Sequence, residues 1–220
     1  MMDELEIIVT ADGSHTLRNR KLDETYHSIH GAVRESRHVF IKHGLQFYHD
    51  TSQSKNISIL EIGFGTALNA LLTLQYSEKC NVSIHYTTLE PFPLERGVWS
   101  VLNYGEGDRK HFEDLHEAPW NAEHKVSGSF TILKSDTRLQ ESALPQRCDV
   151  IYFDAFAPSV QPELWNPEML DKVLHGLTTG GVFVTYSAKG QLKRDLRAMG
   201  LTVETLPGPP GKLQMVRAIK

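Results

Sequence analysis

The residues able to do chemistry stand at four points in the chain, each where a strand-length apolar run ends in a glycine or an acid. Ser58-Ile59-Leu60-Glu61-Ile62 runs into Gly63-Phe64-Gly65-Thr66-Ala67. A glycine turn between a strand and a helix lets a ligand approach backbone N–H groups without interference from Cβ atoms. Ser83 to Leu89 ends at Glu90, and a carboxylate there can accept hydrogen bonds from both ribose hydroxyls of a nucleoside. Thr131 to Lys134 leads to Asp136, placed to accept from an adenine amino group. Asp149 to Phe153 leads to Asp154-Ala155-Phe156-Ala157-Pro158, which brings a carboxylate, an aromatic ring and a rigid turn to the same edge.

These features together describe a crevice shaped for a nucleoside. The third position of a dinucleotide-type glycine pattern is Leu68, which weighs against a pyrophosphate, and the sequence has no Walker-type lysine loop. S-adenosylmethionine fits best, with Glu61, Gly63, Phe64, Gly65, Thr66, Glu90, Asp136 and Asp154 expected around it. Methylation of an amine needs a neutral nitrogen lined up behind the methyl carbon, so the enzyme orients a lone pair and handles a proton. Asp154 is the expected catalytic residue, holding the amine and taking its proton directly or through water. Phe156 can stack on a base or shield the cationic methyl donor. The alternatives are a tight turn without a ligand, solvated strand ends at Glu90 and Asp136, and a helix cap at Asp154.

To bring these points together, the chain must form a parallel sheet. From Ile57 onward, strand-length runs alternate with helix-like segments, an order that puts helices on both faces of such a sheet. The expected fold is α/β and Rossmann-like, of the class I S-adenosylmethionine-dependent methyltransferase type, with a seven-stranded sheet. Thr202 to Leu206 and Gln214 to Ile219 flank Pro207-Gly208-Pro209-Pro210-Gly211, and so short a link makes a hairpin with an antiparallel last strand. The helix from Pro167 is expected to stop at Gly180-Gly181, before a strand Val182 to Tyr186. Residues 1–56 form an N-terminal extension on a methyltransferase domain of residues 57–220. They and the insert Gly105 to Gly128 are candidates for the rim over the substrate.

Composition narrows the setting. The 220 residues are 40% hydrophobic, enough for one sizeable core, and no apolar run approaches the roughly 20 residues of a membrane span. The acidic start Met1-Met2-Asp3-Glu4 is unlike a secretory signal, so a cytoplasmic protein is expected. Cys80 and Cys148 lie far apart without metal-ligand spacing. A net charge of −4 counts against nonspecific nucleic-acid binding, yet local basic clusters at Arg18, Arg20 and Lys21, and at Arg34, Arg37, Lys42 and His43, leave it open.

Longer motifs add a resemblance. Asp12-Gly13-Ser14-His15-Thr16-Leu17, Tyr26-His27-Ser28 with Gly31-Ala32, Glu35-Ser36 and His38-Val39-Phe40, Leu60 to Thr66, Leu115-His116 with Ala118-Pro119-Trp120, and Phe153 to Pro158 with Pro162-Glu163-Leu164-Trp165 resemble the methyltransferase part of the MnmC family, also found alone as MnmD. The resemblance covers nearly the whole chain. It implies methyl transfer from S-adenosylmethionine to the exocyclic amine of 5-aminomethyl-2-thiouridine at the wobble position of tRNA. It also implies that the FAD-dependent oxidase half is no part of this chain and that no metal is involved, so His27, His30 and His38 read as ordinary hydrogen-bonded histidines. Tyr26, Ser28, Glu35 and His38 are expected to line the pocket, with Phe156 and Pro158 beside the acceptor. Ala67 departs from the family's usual glycine. A small-molecule amine methyltransferase, a polyamine-type aminopropyltransferase and a cofactor-binding module without turnover remain the alternatives.

Overall fold

The computed structural model describes residues 4–105 and 107–220; the acidic start at Met1 to Asp3 lies outside them. The chain opens with a three-stranded antiparallel sheet of β1 (Leu5–Val9), β2 (His15–Asn19) and β3 (Glu24–Thr25). A continuous helical run follows: α1 (Ala32–Ser36), a π-wound stretch Arg37–Gln46, and α2 (Phe47–Ser52). The main domain is β4 (Asn56–Ile62), α3 (Leu68–Cys80), β5 (Ser83–Leu89), α4 (Arg96–Trp99), α5 (Arg109–Glu117), β6 (Glu123–Lys125), β7 (Phe130–Ser135), β8 (Cys148–Phe153), α6 (Pro167–His175), β9 (Leu177–Thr185), α7 (Gly190–Ala198), β10 (Thr202–Pro207) and β11 (Gln214–Ile219).

Its sheet has the order β10-β11-β9-β8-β4-β5-β7-β6. Strands β7, β5, β4, β8 and β9 are mutually parallel, and β11 runs antiparallel to both β9 and β10. Among the described residues the sheet has eight strands where seven are expected. The addition is β6, from the insert, antiparallel on the β7 edge; its three residues, Glu-His-Lys, are all exposed, so no apolar alternation marks it. A second correction concerns helix α6, which starts on an Asn166 side chain accepting from the Met169 N–H and ends at Gly176 rather than at Gly180-Gly181. Those two glycines lie inside β9, beside a register shift against β8.

Each central strand is apolar on both faces, as a strand covered by helices on either side must be. Ile57, Ile59, Tyr86, Ile132, Tyr152 and Val184 join one core cluster; Leu60, Ile62, Ile151, Phe153 and Phe183 join the other. The N-terminal segment packs on the first face through Leu17, Val39, Phe40 and Leu45. Its helical run lies so close to the strands that a Cβ on Gly44 would come within 2.9 Å of Val184.

Candidate active site

The carboxyl ends of β4, β5, β7, β8 and β9 reach one edge of the sheet, and the chain reverses direction across the sheet between β4 and β8. A ligand crevice opens at such a switch point. Here it is a cavity of about 740 Å³, within the range that takes a cofactor. Gly63 (φ +97°) leaves β4 against the end of β8, and a Cβ there would meet the Asp154 carbonyl oxygen at 2.7 Å. The glycine therefore keeps the two strand ends together at the floor of the crevice.

The turn is held from below and from the side. The Gly65 N–H donates to Glu90 Oε2 at 3.0 Å and the Phe92 N–H to Glu90 Oε1 at 3.0 Å. Burial pushes the Glu90 carboxyl up to about 6, against those two donors. On the flank, His116 Nε2 donates to the Thr66 carbonyl at 3.2 Å while its ring stacks on Trp99, and Trp120 meets Phe64 edge-on. The fully buried Lys134 donates to the carbonyls of Leu115 and His116 at 2.9 and 2.7 Å, at the C-terminal end of α5 where a cation suits the helix dipole. The Leu115 to Trp120 motif is thus a buttress for the glycine turn.

Asp154 follows β8 and faces the same cavity. Its Oδ2 accepts from Asn69 Nδ2 at 2.8 Å, and the same amide donates to Glu61 Oε1 at 3.1 Å. Burial raises the Asp154 carboxyl well above the usual range, reinforced by Glu35 and Glu61 and opposed by Asn69 and Lys212. The loop beyond is stapled: Trp165 Nε1 donates to the Phe156 carbonyl at 2.8 Å, and the Phe156 N–H donates to Gln161 Oε1 at 3.2 Å. Tyr26 meets Phe156 edge-on at 5.1 Å, and Tyr186 donates to the Ala155 carbonyl at 2.9 Å.

The N-terminal motif builds the roof. Asp12 accepts from the Thr10 hydroxyl, the Ser14 N–H and, at 2.9 Å, the Arg34 N–H in the first turn of α1. Burial alone would raise its carboxyl, but hydrogen bonds from Ser14, Arg34 and Thr10 hold it down at about 2. This capped start sets Glu35 almost fully buried at the cavity, accepting from the Ser28 N–H at 2.6 Å and paired with Lys212.

The structure brings Gly63, Phe64, Gly65, Thr66, Glu90, Asp154, Phe156, Tyr26, Ser28 and Glu35 to one cavity. It does not bring four others. Glu61 is fully buried behind the wall, its oxygens taken by Asn69 and Thr88, and burial raises its carboxyl to about 7. Asp136 is exposed and accepts from Asn121 at 2.9 Å, while Arg138, Leu139 and Gln140 line the cavity in its place. Pro158 turns the chain outside the wall. His38 shares a hydrogen bond with the Pro207 carbonyl at 2.9 Å, away from the cavity. Ala67 takes the left-handed conformation (φ +62°) and is fully buried in the core rather than in the cavity wall. Asn69, Gln161 and Lys212 line the cavity without having been expected there. A lone asparagine in Leu68-Asn69-Ala70-Leu71-Leu72 is the signal that could have found the first.

The side chains present suit a cationic nucleoside. Glu35, Glu90 and Asp154 supply carboxylates and Tyr26, Phe156 and Tyr186 supply aromatic faces, and the buried Thr66 Oγ1 and Asn69 Oδ1 have no hydrogen-bond partner among the described residues. Among the described residues no group of three His, Cys, Asp or Glu could hold a metal ion, and no helix is long and apolar enough to cross a membrane.

Fold and crevice together define an S-adenosylmethionine-dependent methyltransferase, and residues 116–220 match the family described as S-adenosyl-L-methionine-dependent methyltransferase. Within that class the chain is a relative of the methyltransferase part of MnmC. It is 30% identical to the tRNA 5-methylaminomethyl-2-thiouridine biosynthesis bifunctional protein MnmC of Pseudoalteromonas atlantica, over 97% of this chain and 33% of that protein. The corresponding protein of Cupriavidus necator is 26% identical over 99% of this chain and 34% of its own length. The chain thus spans about a third of the length of the curated relatives it matches. The crystal structure of MnmC2 from Aquifex aeolicus superposes with a TM-score of 0.83 at 27% identity, over 98% of this chain and 70% of that one.

Proposed function

We propose that this protein methylates the aminomethyl nitrogen of 5-aminomethyl-2-thiouridine at the wobble position of tRNA, using S-adenosylmethionine. The observation that carries the reading is the Asp154 carboxylate, fixed by Asn69 at the end of the cavity beside Phe156 and Tyr26, in a chain whose MnmC relatives match it from end to end.

Bound S-adenosylmethionine supplies the electrophilic methyl carbon. Glu90 would hold its two ribose hydroxyls, and the backbone of Gly63 to Thr66 would offer N–H groups to it. With Asp136 bonded to Asn121, Arg138 to Gln140 would be the residues to hold the adenine edge. In its ionised form Asp154 accepts a hydrogen bond from the acceptor amine and aims its lone pair at the methyl carbon, and its raised affinity for protons suits it to take the one the nitrogen loses. Phe156 and Tyr26 flank the thiouracil ring, and Tyr186 holds the Ala155 carbonyl so that the loop keeps its shape. Glu61 acts from behind, by fixing the amide of Asn69. A tRNA-modifying enzyme of this kind works in the cytoplasm.

The test is transfer of labelled methyl from S-adenosylmethionine to bulk tRNA from a strain lacking this gene, followed by nucleoside analysis. Label in 5-methylaminomethyl-2-thiouridine is the expected result. Unlabelled tRNA with a labelled free diamine would instead assign the protein to small amines.

A further inference from the structure

The hairpin formed by β10 and β11 reaches the cavity through Lys212 and is docked at three places on the N-terminal segment. The Pro207 carbonyl shares a hydrogen bond with His38 Nε2 at 2.9 Å. Gly211 packs so closely on His30 that a Cβ at position 211 would lie 2.0 Å from the ring. Lys212 pairs with Glu35, and its Nζ sits 3.8 Å above the centre of the Tyr186 ring. An ammonium on the hairpin is thereby placed between the Glu35 carboxylate on α1 and the Tyr186 ring after β9, in the cavity that Asp154 also lines.

Resting on the amine-acceptor reading above, we propose that Lys212 is a positioning residue of the acceptor site: by balancing the charge of Glu35 it keeps the acceptor nitrogen neutral, leaving Asp154 to take the proton. The need follows from the chemistry. An alkylamine between two carboxylates is held as an ammonium, which has no lone pair, whereas a nearby cation favours its neutral form. In the transfer, the nitrogen lone pair forms the new N–C bond, and the C–S bond breaks with its electron pair staying on sulfur. One proton leaves the nitrogen for Asp154. The other groups facing this end are Glu24, Tyr26, His27 and Tyr186, with Glu61 behind Asp154. His27 stays neutral, since burial lowers its imidazole to about 4.

The test is the pH profile of kcat/KM for methyl transfer to tRNA bearing 5-aminomethyl-2-thiouridine, with S-adenosylmethionine affinity measured on every variant as a check of folding. In Lys212→Met the acid limb should move up by about one pH unit, a tenfold loss at pH 7 that is recovered at high pH. Lys212→Arg, which keeps the charge, should hold the wild-type limb. The double variant Glu35→Gln/Lys212→Met, which removes both charges, should return the limb to its wild-type position. A Lys212→Met profile lowered equally at every pH, or a double variant whose limb stays displaced, would overturn the proposal while leaving the acceptor assignment intact. Absence of transfer by the wild-type enzyme would overturn both.

Discussion

The side-chain amide of Asn69 donates to Oδ2 of Asp154 at 2.8 Å, so the acid assigned to the acceptor is oriented by the helix that the glycine turn launches. Cofactor floor and acceptor end share one support, because the same amide reaches Glu61 in the core.

Asn69→Ala removes that support without touching the ribose end. A hydrogen bond to a charged group contributes about 1.5–3 kcal/mol, so kcat should fall about 10- to 100-fold while S-adenosylmethionine affinity changes little. Steady-state kinetics beside calorimetric titration check this. A loss of affinity matching the loss of turnover would move Asn69 to the cofactor.

Glu90 makes cofactor affinity depend on pH. Its carboxyl lies at about 6 in the free protein, and only the ionised form offers acceptors to both ribose hydroxyls. Affinity should rise about tenfold between pH 5 and pH 7, equivalent to about 1.4 kcal/mol, and Glu90→Gln should remove that rise. Glu90→Ala should weaken binding at every pH, and unchanged affinity would sink the ribose assignment.

The same burial governs the stability of the free protein. Glu61 and Glu90 are raised from 4.5 to about 7 and about 6, and Asp154 moves in the same direction. On these groups the folded state therefore holds protons that the unfolded chain has released, and their contribution to stability falls as pH rises from about 4.5 through about 7, opposed by His27, His43 and His116, whose lowered imidazoles contribute a rise up to about 6.5. Asp12 does not mask this, because its lowered carboxyl is ionised in both states above its unfolded value. The urea midpoint of the wild type relative to Glu61→Gln should decline across this window. A wild-type midpoint that rises relative to Glu61→Gln would contradict the burial of Glu61.

Lys134→Ala should cost about 2–4 kcal/mol, since two buried carbonyls at the end of α5 lose their donor and the ammonium leaves its place by the Phe64 and Trp120 rings. Chemical denaturation measures it. A loss below about 1 kcal/mol would mean that water replaces the ammonium.

What could be read from the sequence follows from periodicity and local chemistry. The parallel strands, the glycine turn, Glu90 and Asp154 were legible because each is an apolar run ending in a residue with one plain use. The helical run from Ala32 to Ser52 was not, since its buried residues Val39, Phe40, Gly44, Leu45 and Tyr48 follow the wider spacing of a π-wound helix. Asp136 followed the right logic for a strand end, yet Asn121 from the insert draws its carboxylate away. Lys212 had no local signal: its partner Glu35 lies 177 positions earlier, and only the docking of hairpin on helix brings the two together.

Methyl transfer by Asp154→Ala, followed through one turnover with saturating S-adenosylmethionine and tRNA carrying the aminomethyl nucleoside, tests the account most directly. The account predicts wild-type cofactor affinity with transfer slowed at least about 100-fold, the scale of a lost general base. Transfer at the wild-type rate would contradict it, and would mean that the carboxylate facing the cavity does not serve the acceptor.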